Sequence, residues 1–129
     1  MKFSIIINTH NQSSFIRECI NSCINQEFQD FEIIITDTSN QKINKKFIKS
    51  KKINYFHLKK KSKYPVMDQM NQILFGLNKS SGKYICLLDG DDKLSKKKLK
   101  KLSYIFKDKK IDINQDLPII FSKKEKIEQ

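Results

Sequence analysis

The chain of 129 residues has room for one domain of ordinary size and for no second one. Hydrophobic residues make up 38% of it, with nine Phe, so a real core is available and the mean hydropathy of −0.58 reflects a charged surface, not disorder. The 26 Lys and Arg against 14 Asp and Glu give a net charge of +12 that favours anionic partners such as nucleic acid, lipid headgroups or phosphorylated substrates, but Arg17 is the only arginine, and lysine filling tolerant surface positions in an AT-rich coding sequence accounts for much of the excess.

Met1–Asn8 reaches polar residues too soon for a signal peptide, and no stretch approaches the roughly 18 apolar residues of a membrane span, so a cytoplasmic protein is expected. Phe3-Ser4-Ile5-Ile6-Ile7 is rich in β-branched residues and suits a strand covered on both faces, ending at Asn8-Thr9-His10-Asn11. Phe15/Ile16, Cys19/Ile20 and Cys23/Ile24 recur every four residues, which predicts a helix capped by Ser13 or Ser14 and stopping near Asn25. Cys19, Cys23 and Cys86 fall inside apolar patterns and read as buried reduced thiols, because no His or second Cys pair completes a zinc tetrahedron. Phe31 to Thr36 is a second buried-type strand, closing on Asp37 and the turn-forming Thr38-Ser39-Asn40. Strand, helix, strand predicts a parallel βαβ unit.

In the middle, 44–50 reads as a short helix, 53–58 as a third strand and 59–63 as a solvated lysine loop. Pro65 suits a first helical position, and Val66, Met70, Ile73 and Leu77 set out an apolar stripe behind it. Lys83 to Leu88 reads as a fourth strand after Gly82. Ser95 is expected to cap a last helix, with Leu94 and Leu99 at staple positions and Leu102 and Ile105 continuing the stripe.

Four strands interleaved with helices predict an open, mostly parallel α/β sheet, which binds ligands beyond the carboxyl ends of its strands where strand order reverses. Asn8-Thr9-His10, Asp37 and Asp89-Gly90-Asp91-Asp92 all fall at such ends. Carboxylates two apart at a strand-to-turn corner offer hard oxygen ligands to Mg²⁺ or Mn²⁺ bridging substrate phosphates, with a glycine between them that lets a bulky ligand approach. Taken alone the pattern also fits an acidic turn before a helix, with Asp92 complementing the dipole. An EF-hand is excluded, since its fifth and sixth positions would be Lys93 and Leu94. A phosphatase-like aspartyl nucleophile stays open, although such enzymes place the motif after their first strand.

"FSIIINTHNQSSFIRECINSCINQEFQDFEIIITDTSN" resembles the opening of family 2 glycosyltransferases of the GT-A fold, where a first strand runs into P-T-Y-N and a second ends in V-D-D-G-S. "SGKYICLLDGDD" is similar to that family's G-E-Y-I-x-F-L-D-x-D-D, and "YPVMDQMNQ" to its Y-D-A-M-N-K phrase. The resemblance covers about Phe3 to Leu102. It implies a Rossmann-like, nucleotide-sugar-binding domain over 1–106, followed by a short charged segment over 107–129 with room for one extra strand. The activity implied is metal-dependent transfer of a sugar from a nucleotide-diphosphate sugar, most often a UDP-sugar, to a glycan or lipid-linked acceptor, with peripheral membrane contact; specific nucleic-acid binding is not expected, because the sequence has no aromatic-basic interleaving and no reading helix. Thr9 and Asn11 would then lie against the nucleotide, Asp37 against the uracil, and Asp68 near the ribose or the sugar. Asp89 would contact the ribose or the metal shell, and Asp91 would ligate Mn²⁺ or Mg²⁺. His10 stands where the family often has Tyr, and reads as a loop histidine; His57 earns no role. Asn8 replaces the usual Pro, and Thr38 and Ser39 replace the second Asp and Gly of V-D-D-G-S.

Family members continue well past the D-x-D motif with acceptor-binding segments and a carboxylate base. Here "FKDKKIDINQDLPIIFSKKEKIEQ" follows, so the fold expected is a truncated one. Asp108, Asp112 and Asp116 are available acids, but nothing places them at an acceptor hydroxyl, and no base is assigned. The competing expectation is a remnant that binds nucleotide-sugar or a partner without turnover.

Overall fold

The computed structural model describes residues 2–107 and 120–122. Five strands form one sheet in the order β3-β2-β1-β4-β5: β1 Phe3–Thr9, β2 Phe31–Asp37, β3 Ile53–His57, β4 Tyr84–Asp89 and β5 Ile120–Ser122. The first four run parallel, and β5 pairs antiparallel with β4 at the edge. Helices α1 Ile16–Ile24, α2 Pro65–Lys79 and α3 Lys98–Lys107 link or follow them. The chain leaves β1 toward β2 and β3, then returns to the other side of β1 as β4. Strand order therefore reverses between β1 and β4, and the crevice of an open α/β sheet opens beyond Thr9 and Asp89.

Every residue of β1 and β2 is buried, which explains the unbroken Ile runs. Alternate side chains go to opposite faces. Ile5, Ile7, Ile33 and Ile35 pack with Ile16, Cys19, Ile20 and Cys23 of α1 and Leu99 and Leu102 of α3, while Ile6, Ile34 and Ile85 pack with Leu77 of α2. The three cysteines are free and buried, as their apolar settings predict. At the amino-terminal end of the sheet, Glu32 ties three elements together: its Oε2 accepts from Ser4 Oγ at 2.5 Å, Ser81 N at 2.6 Å and Ser81 Oγ at 2.9 Å. Burial works to raise the Glu32 carboxyl, but these bonds outweigh it and leave it below the usual carboxylate range.

Three expectations are corrected. Neither Ser13 nor Ser14 caps α1; Phe15 occupies the cap position with no side-chain bond, and the Gln12 carbonyl accepts from Phe15 N and Ile16 N. The tight exit from β1 causes this, with Asn11 in the left-handed region at φ 51°, a conformation asparagine tolerates. The second correction concerns α2. Val66 and Met70 are 67% and 52% exposed, whereas Asp68, Gln72, Gly76 and Leu77 form the buried side. The helix lies over the strand ends, whose carbonyls need donors more than apolar cover. Gln72 Nε2 supplies them, donating to Thr9 O at 3.0 Å and Thr36 O at 2.8 Å. Gly76 lets the helix settle this close: a Cβ there would meet Ile6 Cγ2 at 2.6 Å.

The short middle helix is a 3₁₀ turn, Lys45–Ile48, capped by the Asn44 side chain, which accepts from Lys46 N at 3.0 Å. Leu94 and Leu99 are both buried in the α1-side core, but α3 begins at Lys98, three residues after the expected Ser95 cap, so they do not stand at its staple positions. Asp108, Asp112 and Asp116 lie outside the described residues.

Candidate functional site

The end of β1 and the start of the acidic turn are held together by backbone and side chains. Gly90 N donates to Asn8 O at 3.0 Å, and Thr9 Oγ1 donates to Gln12 Oε1 at 2.9 Å. A Cβ at Gly90 would meet Thr9 Oγ1 at 2.5 Å and Gln12 Oε1 at 2.6 Å, so only glycine lets the turn pass so near β1. The turn closes on itself through Asp92 N donating to Asp89 O at 2.9 Å. Asp89, Asp91 and Asp92 thereby bring one carboxylate oxygen each within 4.8 Å of one another, Asp89 half-buried and the other two exposed. The neighbouring Lys93 is turned away to Glu18 at 2.8 Å, and that bond and charge hold the Glu18 carboxyl below its ordinary range. Three hard oxygen donors at this spacing fit Mg²⁺ or Mn²⁺.

A cavity of about 280 Å³ opens beside this turn, with Thr9, Asp68, Gln69, Asp89 and Asp91 on its wall. From α2, Gln69 Nε2 reaches Asp89 Oδ1 at 3.2 Å and Asn8 Oδ1 at 3.3 Å, which orients the half-buried carboxylate. Asp68 is 6% exposed; its Oδ1 accepts from Lys61 N at 3.0 Å and Ser62 N at 2.9 Å. Its Oδ2 is buried with no partner among the described residues. A buried carboxylate oxygen left unbonded costs about 1–3 kcal/mol, so a donor supplied by a ligand would be favoured there.

A second cavity of about 470 Å³ adjoins the first, sharing Thr9 and Gln12, and runs along Asn11, Ser39 and Asn40 to Ile43 and Phe47. One end of the joined groove gathers Asp68, Asp89 and Asp91 with Lys60 beside them, and the other holds no acid, its wall being uncharged polar and apolar residues with Lys42.

The structure thus brings Thr9, Asp68, Asp89 and Asp91 to one cavity and Asn11 to the adjoining one. Asp37 lines neither. It is fully buried, its Oδ1 accepting from Ser39 N at 2.8 Å and its Oδ2 from Tyr55 Oη at 2.5 Å. Burial, and then the bond to Asp37, push the Tyr55 hydroxyl up, so it stays a donor. Tyr55 Oη also accepts from Ile43 N at 3.1 Å, and the carboxylate therefore fixes the wall of the second cavity from behind. Asn11 spends its polar groups similarly: its N donates to Ser39 Oγ at 2.7 Å and its Oδ1 accepts from Asn40 N at 3.0 Å. His10 lines the first cavity and is a loop histidine tied by Nδ1 to Thr38 at 3.0 Å; His57 holds Ser39 O at 2.7 Å. Gln12, Gln69 and Gln72 were missed by sequence reasoning. The spacing of Asp68, Gln69 and Gln72 carried a signal, a polar helical face, that the apolar stripe hid.

The glycosyl transferase family 2 profile matches residues 4–128. An uncharacterized glycosyltransferase of Rickettsia bellii is 41% identical over 95 residues, covering 70% of this chain and 13% of that protein. The GalNAc(5)-diNAcBac-PP-undecaprenol beta-1,3-glucosyltransferase of Campylobacter jejuni is 31% identical over 98 residues, covering 72% of this chain and 30% of that one. Among solved structures, S. aureus TarS 1–349 in complex with UDP-GlcNAc superposes with a TM-score of 0.71 at 26% identity, over 84% of this chain and 32% of that chain. The chain spans less than a third of each of these proteins.

Proposed function

Because the chain belongs to glycosyl transferase family 2, we propose that it binds a nucleotide-diphosphate sugar, a UDP-sugar first of all, and transfers the sugar to a hydroxyl of a glycan or lipid-linked acceptor on the cytoplasmic side. One observation carries this reading. At the point where strand order reverses, the acidic turn, the end of β1 and an unsatisfied carboxylate of α2 meet on one cavity.

The residues divide the donor between them. The acid-free cavity takes the base, with Thr9 and Asn11 beside the nucleotide and Asp37 holding Ser39 and Tyr55 in the wall; a direct bond from Asp37 to the base requires one of its two internal bonds to be given up. The free oxygen of Asp68 accepts from a hydroxyl of the ribose or the sugar. Asp91 and Asp89 hold the divalent ion, with Gln69 keeping Asp89 turned toward it. Such an ion, when bound, neutralises the charge growing on the diphosphate leaving group. The TarS neighbour solved with UDP-GlcNAc supports the donor class.

A second reading, donor binding without turnover, is favoured by the cavity's carboxylates: Asp68, Asp89 and Asp91 are all occupied by these roles, which leaves none there to deprotonate an acceptor. Calorimetric titration of UDP with and without Mn²⁺ tests what both readings share, and metal-independent or absent binding would sink both. Hydrolysis or transfer of the donor that disappears in Asp91→Ala selects the enzyme; binding with no turnover selects the second reading.

A further inference from the structure

Seven large apolar side chains stand exposed among the described residues, and five of them, Tyr64, Val66, Met67, Met70 and Leu74, lie on α2 or at its N-cap. Met67, Met70 and Leu74 follow one another at offsets of three and seven, so they form a single line along the helix. That line runs opposite Asp68, Gln72 and Gly76, which face the sheet. The stripe is thus a second apolar face on the solvent side of α2, whose inner side carries Asp68 and Gln72 toward the site and Ile73 and Leu77 toward the core.

Its charge setting is one-sided. Lys59, Lys60, Lys61 and Lys63 lead directly into Tyr64, with Lys63 Nζ 5.3 Å from the centre of that ring, and Lys79 and Lys83 follow the helix. From residue 59 to 83 the sole acid is Asp68, and it is buried. No helix among the described residues is long and apolar enough to cross a membrane.

We infer that this face of α2 docks on an anionic lipid surface. Met67, Met70 and Leu74 enter the headgroup boundary, and the lysines of the preceding loop lie on lipid phosphates. A second copy is a poorer occupant, since a two-fold contact through this stripe would set one lysine rim against the other. The docking face adjoins the donor cavity at Lys60, whereas Lys59, Lys63, Met70 and Leu74 line neither cavity. On the donor reading it has a consequence: Asp68 and Gln69, on the same helix, would hold the cavity close to the lipid plane where a lipid-linked acceptor lies.

The test is flotation of the purified chain with phosphatidylglycerol–phosphatidylcholine vesicles and with phosphatidylcholine vesicles alone, alongside light scattering. The parent chain should float with the anionic vesicles only. The double variant Met70→Ser, Leu74→Ser should lower partitioning at least about tenfold, and Lys59→Gln, Lys63→Gln about 30-fold, because each substitution takes one positive charge away from the lipid phosphates. All four side chains are exposed and line neither cavity, so circular dichroism and UDP titration should be unchanged in both variants. The inference is overturned if nothing floats, if only the lysine pair matters, which would reduce the effect to bulk charge, or if the serine pair instead dissolves a dimer. Flotation with no UDP binding leaves the docking standing and overturns the donor reading alone.

Discussion

Replacing Gln72 by Leu tests the arrangement on which the site depends. The side chain is 4% exposed, and its Nε2 bridges the carbonyls of Thr9 and Thr36 at the ends of β1 and β2. Leucine nearly preserves the volume and removes both donors. A stranded buried carbonyl costs about 1–3 kcal/mol, but the Thr9 carbonyl keeps a bond from Thr38 N at 3.2 Å, which places the sum near the lower end. The expected loss is about 2 kcal/mol, or roughly 8 °C in Tm for a domain of this size. Urea unfolding followed by far-ultraviolet circular dichroism measures it. Gln72→Glu should be worse than leucine, because a carboxylate would face two carbonyl oxygens. UDP affinity should fall in both variants, since α2 also carries Asp68 and Gln69. A leucine variant within about 0.5 kcal/mol of the parent, the ordinary range for inconsequential surface changes, would refute the view that polar demand at the strand ends sets the roll of α2.

Gly90→Ala forces a methyl onto Thr9 and Gln12, and should cost about 1–3 kcal/mol while weakening Mn²⁺-dependent UDP binding; an alanine variant with parent affinity would show that the turn need not touch β1. Glu32 has a folded-state carboxyl held below 4.5, so its contribution is present above that pH and is lost as pH falls through the lower folded value. Glu32→Gln should therefore be less stable at neutral pH and show a shallower acid limb in unfolding titrations, whereas an unchanged limb would remove Glu32 from acid unfolding. Burial pushes Cys86 up to about 12, and Cys19 together with burial raises Cys23, so these thiols should stay silent to a thiol-disulfide reagent until the chain unfolds; prompt reaction of the native protein would contradict the core packing.

The parallel strands were legible because burial on both faces writes itself as Phe3 to Ile7 and Phe31 to Thr36, with no alternation to misread. The acidic turn was legible too, since Asp89 ends a strand and Asp91 follows it in the turn that leads toward α3. Helix α2 was not. Its apolar residues show a clean helical period, and periodicity tells which residues share a face without telling which face meets the core. Only the carbonyls of Thr9 and Thr36, supplied by distant strands, decide that Gln72 goes inward. The cap of α1 failed for a related reason: Ser13 and Ser14 have the right chemistry, but the exit from β1 through Asn11 lets the Gln12 carbonyl take the first donors.

The departures from the family phrases at Thr38 and Ser39 acquire a physical sense in the same way. Thr38 Oγ1 meets His10 Nδ1 at 3.0 Å and Gln72 Oε1 at 3.5 Å, and Ser39 Oγ accepts from Asn11 N at 2.7 Å. Together with Asn40 N on Asn11 Oδ1, these bonds sew the loop after β2 to the loop after β1, across the rim where the two cavities join. An Asp-Gly pair could not form this clasp, since glycine has no hydroxyl to receive Asn11 N and a carboxylate in place of Thr38 would face the Gln72 oxygen. The same logic explains why Asp37 turns inward. With the loop fastened by neutral side chains, the carboxylate orders the wall behind it through Ser39 and Tyr55, and the negative charge that faces the groove is left to Asp68, Asp89 and Asp91 at its other end. That separation leaves the groove one end free of acids and one end rich in them, the arrangement that the proposed base and metal-bound diphosphate would require.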